Sequence, residues 1–189
     1  MTGRPAKRRE NKNPHREDLV ILRKRVAGLS PSTLERFLLR ARRAVRVGGI
    51  VNVLVTNSRD LRSLNLRFRD KDKATDVLSF PAPPPSRLQT ERLAGDLAIS
   101  VDIARENADR LGHSVAEEIK ILVLHGLLHL AGFDHERDDG EMVREEVRLR
   151  RQLKLEAGLI ERTRSKAHAV RPLHGKGPTV RALAKRRSA

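Results

Sequence analysis

The chain has no cysteine, no tryptophan and no tyrosine, and only four phenylalanines: Phe37, Phe68, Phe80 and Phe133. Without cysteine there are no disulfides, no thiolate metal sites and no cysteine nucleophile. That fits a reducing compartment, and the cytoplasm is the expected location. So few rings argue against nucleic-acid binding through stacking platforms. No apolar run approaches the roughly 20 residues that a membrane span requires. The basic N-terminus has no apolar stretch behind it, so no secretory signal is expected. Acids are also scarce: 24 Asp+Glu face 40 Lys+Arg, a net charge of +16 over 189 residues.

That excess is uneven. Residues 1–25 carry nine Lys/Arg and three acids, net +6, and residues 161–189 carry nine and one, net +8. The interior keeps only +2. A near-neutral domain with basic ends is expected to meet a polyanion, and nucleic acid is the commonest one in a cell. The expected organisation is a basic disordered arm at 1–17, one folded domain at 18–156, and a basic disordered tail at 157–189.

Within the domain, strands and helices alternate. Leu19 to Val26 reads as an edge strand. Ser30-Pro31-Ser32 opens a helix whose apolar residues Leu34, Phe37, Leu38 and Ala41 share one face, and Gly48-Gly49 stops it. Ile50 to Val55 is a strand, and Asn57 caps a short helix. Thr75 to Pro81 and Gly95 to Val101 are further strands, apolar enough to expect cover on both faces. A helix spans Asp102 to Leu111. Ser114-Val115-Ala116-Glu117 has the form of a capping box. The helix it opens runs to about Ala131, where Gly132 takes a left-handed conformation. A last helix covers about Asp139 to Leu155, and Gly158 ends the ordered part. The fold class is α/β (α+β): a small mixed sheet of about four strands covered by about five helices.

Three histidines, His125, His129 and His135, lie within eleven residues. Residues four apart on a helix differ by about 40° around its axis, so His125 and His129 share a stripe. Gly132 lets the chain turn back, and His135 can then reach the same point. Three imidazoles around Zn²⁺ leave one coordination position for water, whose pKa falls to about 7 in such a site. Ni²⁺, Cu²⁺ and Co²⁺ also suit this ligand set. Metalloproteases of the H-E-x-x-H type carry a glutamate after the first histidine as general base. Gly126 stands there, so peptidase chemistry lacks its base; the glycine is expected to leave room beside the metal for a bulky substrate. Asp134, next to His135, is as readily a turn residue as an orienting partner. Asp96 and Asp102 are not assigned to the site. Arginines between Leu64 and Lys73 precede an apolar strand, and one held at that junction can grip a phosphate with two hydrogen bonds.

Two segments carry a resemblance. His125 to His135 follows H-G-x-L-H-L-x-G-x-D-H. Leu64 to Pro81 follows L-N-x-x-[FY]-R-x-x-D-x-x-T-D-V-L-S-F-P, with Ala74 where proline is frequent, and Gly95 to Ser100 matches a G-D-[IL] strand. Over residues 18–156 the chain resembles the YbeY endoribonucleases, the bacterial rRNA maturation factors. The resemblance implies a zinc-dependent, single-strand-specific endoribonuclease that matures the 3′ end of 16S rRNA and serves ribosome quality control. It maps the metal ligands onto His125, His129 and His135 and the functional arginine onto Arg69. RNA and the ribosome are the implied partners. The basic arms lie outside the shared pattern, and added RNA or ribosome affinity is the expectation for them. A general base is not evident, so attack by water and attack by the ribose 2′-hydroxyl both stay open. The rival readings are a metal-dependent hydrolase of another substrate, such as a peptidase, and a ribosome- or RNA-binding protein with structural zinc.

Overall fold

In the structure, a computed structural model, residues 18–83, 92–135 and 137–155 are described. The arms expected at 1–17 and 157–189, the stop at Gly158 and Pro84-Pro85 of the proline-rich loop lie outside these residues.

The described chain forms one four-stranded mixed sheet and five helices. In order they are β1 (Val20–Leu22), α1 (Pro31–Val45), β2 (Ile50–Thr56), α2 (Ser58–Arg69), β3 (Val77–Pro81), β4 (Leu93–Ser100), α3 (Val101–Leu111), α4 (Val115–Leu130) and α5 (Glu141–Leu153). Spatially the strands run β1-β2-β4-β3; β1, β2 and β4 are parallel and β3 is antiparallel to β4. No helix among the described residues is long and apolar enough to cross a membrane.

Alternation along the strands separates two cores. Val53, Val55, Leu97 and Ile99 face the larger one, with α1 and α4. Ala98 and Leu78 face the smaller one, with Leu61 and Leu64 of α2. Helices α4 and α2 therefore cover opposite faces of the sheet. Its central strand β4 is buried on both sides, as expected. Strand β3 is not: Val77 and Leu78 are buried, but Ser79, Phe80 and Pro81 are only half-buried. It is an edge strand, which is where a proline that cannot donate to a ladder belongs.

Side-chain caps start α1 to α4, while α5 begins at Gly140 without one. Ser30 Oγ accepts from Thr33 N at 3.1 Å, Asn57 Oδ1 from Asp60 N at 2.8 Å, and Ser114 Oγ from Glu117 N at 3.2 Å. Each such cap is worth about 1 kcal/mol. The first strand is shorter than expected. Pairing with β2 ends at Leu22, and Val26 makes only an isolated bridge to Leu29 around Gly28. Arg23 N still donates to Val55 O at 2.9 Å, and Lys24-Arg25 then leave the sheet instead of lengthening it. Strand β4 starts earlier than expected, at Leu93, because Arg92 O accepts from Ile50 N at 2.8 Å and so extends the β2 pairing.

Helix α4 is the centre of the molecule. Ile119, Ile121, Leu122, Val123, Leu124, Leu127 and Leu128 are each at most 1 % exposed. From Ile121 onward the helix is apolar on nearly every side, as a helix at the centre of a core must be.

Candidate metal centre

The last turns of α4 carry His125 and His129. The chain then turns sharply: Gly132 adopts φ +96, and Phe133 N donates to Leu128 O at 3.1 Å. A left-handed residue at that point is what glycine permits at no steric cost. The turn returns His135 to the helix end. Among the described residues these three histidines are the group that can hold a metal ion, their ligand atoms all lying within 4.8 Å of one another. Ring centroids are 4.7 Å apart for His125–His129, 5.2 Å for His129–His135 and 5.5 Å for His125–His135.

The hydrogen bonds of the rings decide where their lone pairs point. His129 Nδ1 lies 3.0 Å from the Phe133 carbonyl oxygen. A carbonyl only accepts, so Nδ1 carries the proton and Nε2 presents a lone pair. His125 Nδ1 lies 2.9 Å from Glu146 Oε2, and donation to that carboxylate leaves its Nε2 lone pair free as well. The two Nε2 atoms are 3.1 Å apart. Two nitrogens bound to one tetrahedral zinc sit roughly 3.4 Å apart, given bonds of about 2.0–2.1 Å. Two lone pairs facing each other at that spacing repel, and a cation between them removes the repulsion. His135 Nδ1 is buried without a hydrogen-bond partner. The donor set therefore fits a metal ion.

His129 is 5 % exposed. Burial, and after it the neighbouring His125, push its pKa down to about 3. It is thus a neutral ligand at any physiological pH. Glu146, on α5, is also an ion-pair partner of Arg150, one turn further along that helix. The result is a chain of contacts, His125 to Glu146 to Arg150, in which a buried carboxylate orients the ring. Carboxylate partners of this kind raise the basicity of a ligand and fix its tautomer.

Gly126 does not do what was expected of it. It faces the sheet rather than open space beside the histidines. A Cβ there would lie 2.8 Å from Leu97 Cδ2 and 3.2 Å from Ser79 Oγ. The glycine lets α4 press against β3 and β4, and Leu97 fills the space it leaves. Asp134 acts as a turn residue: its carbonyl accepts from Arg137 N and Asp138 N, both at 2.9 Å. Asp96 accepts from Asn52 Nδ2 at 2.8 Å across the sheet, and Asp102 accepts from Ser58 N at 2.8 Å. Arg69 is the last residue of α2 and is half-buried. The ring of Phe68 before it packs edge-on against Phe80 at 5.5 Å, and Asp70 after it closes the helix in a left-handed conformation. The structure brings the three histidines together; Arg69 comes from an element on the other face of the sheet.

Sequence reasoning missed Glu146, Arg150 and the Phe133 carbonyl. One signal was available for Glu146. Met142, Leu149 and Leu153 mark the buried stripe of α5, and Glu146 sits on that stripe. A charge at such a position needs a buried partner.

Comparison with known proteins points to one family. The family described as Endoribonuclease YbeY matches residues 15–154. The Endoribonuclease YbeY of Koribacter versatilis is 59% identical over 145 residues, 77% of this chain and 91% of that protein. Its counterpart in Solibacter usitatus is 47% identical over 146 residues, 77% of this chain and 95% of that protein. The solution structure of TM1509 from Thermotoga maritima is similar with a TM-score of 0.47 at 29% identity, covering 71% of this chain and 89% of that one.

Proposed function

This chain belongs to the YbeY endoribonuclease family, and from that premise we propose that it is a zinc-dependent endoribonuclease specific for single-stranded RNA. Its role in the cytoplasm is maturation of the 3′ end of 16S rRNA and ribosome quality control, with the ribosome as partner. Residues 18–156 are the catalytic domain. The basic segments 1–17 and 157–189 add affinity for the RNA backbone.

The observation that carries this reading is the convergence of three imidazoles, two of them with Nε2 atoms 3.1 Å apart and Nδ1 atoms held by Glu146 and Phe133. His125, His129 and His135 are the ligands. Zinc held by three side chains supplies a Lewis acid with an open position, whereas structural sites usually close it with a fourth ligand. Arg69 neutralises charge on the phosphate as it becomes pentacoordinate. Glu146 keeps His125 oriented, and the Phe133 carbonyl does the same for His129. A peptidase of the H-E-x-x-H design is disfavoured, because Gly126 replaces its base and packs on Leu97.

Elemental analysis run beside an RNA cleavage assay tests the reading. The parent is expected to hold one zinc per chain and to cut single-stranded RNA. His129→Ala is expected to lose both, and Arg69→Ala to lose cleavage while keeping zinc. Zinc retained in full by an inactive His129→Ala would overturn the ligand assignment. The product ends separate the two attack routes: a 2′,3′-cyclic phosphate excludes direct attack by water.

A further inference from the structure

Helix α1 shows solvent a stripe of arginine that the metal centre does not use. Arg36, Arg40 and Arg43 are exposed and recur at i, i+4 and i+7, within about 60° of one another around the axis. Arg46, the exposed left-handed cap, continues the line beyond the helix end. From Arg36 to Arg46 the stripe runs about 15 Å at 1.5 Å per residue. Arg40 and Arg43 have no acidic partner among the described residues. Among the described residues Arg36 reaches only Thr33 Oγ1, at 3.4 Å. Arg46 faces Glu145, which is already paired with Arg148 at 2.6 Å. Arg42, on the inner side of α1, is consumed by Asp18 at 2.6 Å and shows what a structural arginine here looks like.

The stripe leads into a cleft of about 530 Å³ between the end of α1, the β3–β4 edge and the end of α4. That is within the range of ligand pockets, about 300–1,000 Å³. Arg46 and Arg92 stand at it, Gly48 and Pro81 line it, and Leu130 and Phe133 belong both to it and to the turn that joins His129 to His135. One wall of the cleft is therefore the segment whose carbonyl holds His129. Cation at the mouth, apolar lining and adjacency to the three histidines together suit one occupant: a nucleotide of a single strand with its phosphates outward. Among the described residues no acid lines this cleft, which disfavours a basic peptide.

We propose that this cleft is a substrate subsite that takes a nucleotide of the RNA strand beside the scissile bond, and that the α1 arginines are the track along which the strand's phosphates enter it. The proposal rests on the endoribonuclease reading above. It assigns Arg40, Arg43, Arg46 and Arg92 to phosphate contact and Gly48 to the space the nucleotide fills.

The test is fluorescence anisotropy on the full chain as purified, with a labelled 2′-O-methylated single-stranded oligoribonucleotide, between 50 and 200 mM salt. Cleavage of the unmodified RNA is measured alongside. Two pairs remove charge without burying anything: Arg40→Gln with Arg43→Gln, and Arg46→Asn with Arg92→Gln, asparagine being tolerated in a left-handed conformation. Each phosphate contact on a single strand contributes about 0.7 to the slope of log K against log salt, so each pair lowers its magnitude by about 1.4. Gly48→Leu adds bulk to the cleft's lining, where a Cβ would meet nothing within 4 Å. It is expected to weaken binding about fivefold, roughly one base contact, with the slope unchanged. The control pair Arg105→Gln with Arg110→Gln, on α3, is expected to keep the parental slope. The proposal is overturned if either pair keeps the parental slope, if the control loses as much, or if Gly48→Leu binds like the parent. A parent that neither binds nor cuts RNA refutes the functional reading itself, a distinct result.

Discussion

Replacing Glu146 separates what holds the fold from what holds the ion. Glu146 is 8 % exposed, accepts from His125 Nδ1 at 2.9 Å and pairs with Arg150, itself 7 % exposed. Glu146→Gln keeps the shape and removes the charge, leaving a buried guanidinium without a counter-ion. Breaking a buried pair in this way costs about 3–5 kcal/mol of stability. The glutamine oxygen still accepts from His125 but without charge, so metal affinity is expected to fall about 10-fold, the lower end of the effect of an orienting partner, or roughly 1.4 kcal/mol. The double replacement Glu146→Leu with Arg150→Met removes both charges and refills the space. It is expected to recover most of the stability, because apolar replacement of a whole buried pair is often neutral. It should not recover zinc affinity, since leucine cannot accept from His125. Denaturant unfolding in the presence of a chelator reads the first quantity, and zinc titration against a chromophoric competitor reads the second. If zinc affinity returned together with stability in the double variant, the orienting role of Glu146 would be refuted and the carboxylate would be structural only.

Three further outcomes are expected. Gly126→Ala places a methyl 2.8 Å from Leu97 Cδ2; overpacking of this kind costs about 1–3 kcal/mol, read by thermal unfolding, with zinc stoichiometry unchanged. Stability of the metal-free protein depends on His129, whose folded pKa of about 3 lies below its usual 6.5. The unfolded chain binds the proton more readily, so this contribution is present above pH 6.5 and is lost as pH falls towards 3, which denaturant midpoints across that range check. Asp18 has the opposite sign: burial raises its pKa above the usual carboxylate range, ahead of the lowering by Val51 N and Arg42. Its ionisation therefore opposes folding, and Asp18→Asn is expected to flatten a loss of stability with rising pH just above the ordinary aspartate pKa.

Much of the site was legible because it is local. A hydroxyl cap at Ser114, an apolar run, two histidines four apart and a glycine at 132 specify a helix, its end and the return of the chain. Local signals also gave α1, β2 and the capped start of α2. What escaped was set by distant neighbours. The direction of Gly126 depends on Leu97, 29 positions earlier in sequence, and the partner of His125 lies 21 residues later on another helix. The exposure of β3 depends on strand order, which periodicity does not contain. The bounds of β1 and β4 moved for the same reason: pairing with β2, not composition, decides where each strand begins and ends.

The burial of α4 also holds its two histidines at a fixed spacing. The run of buried residues from Ile121 to Leu124 places the amides of this helix among the slow exchangers with solvent hydrogen. An ion lodged at its end would raise the melting temperature by mass action.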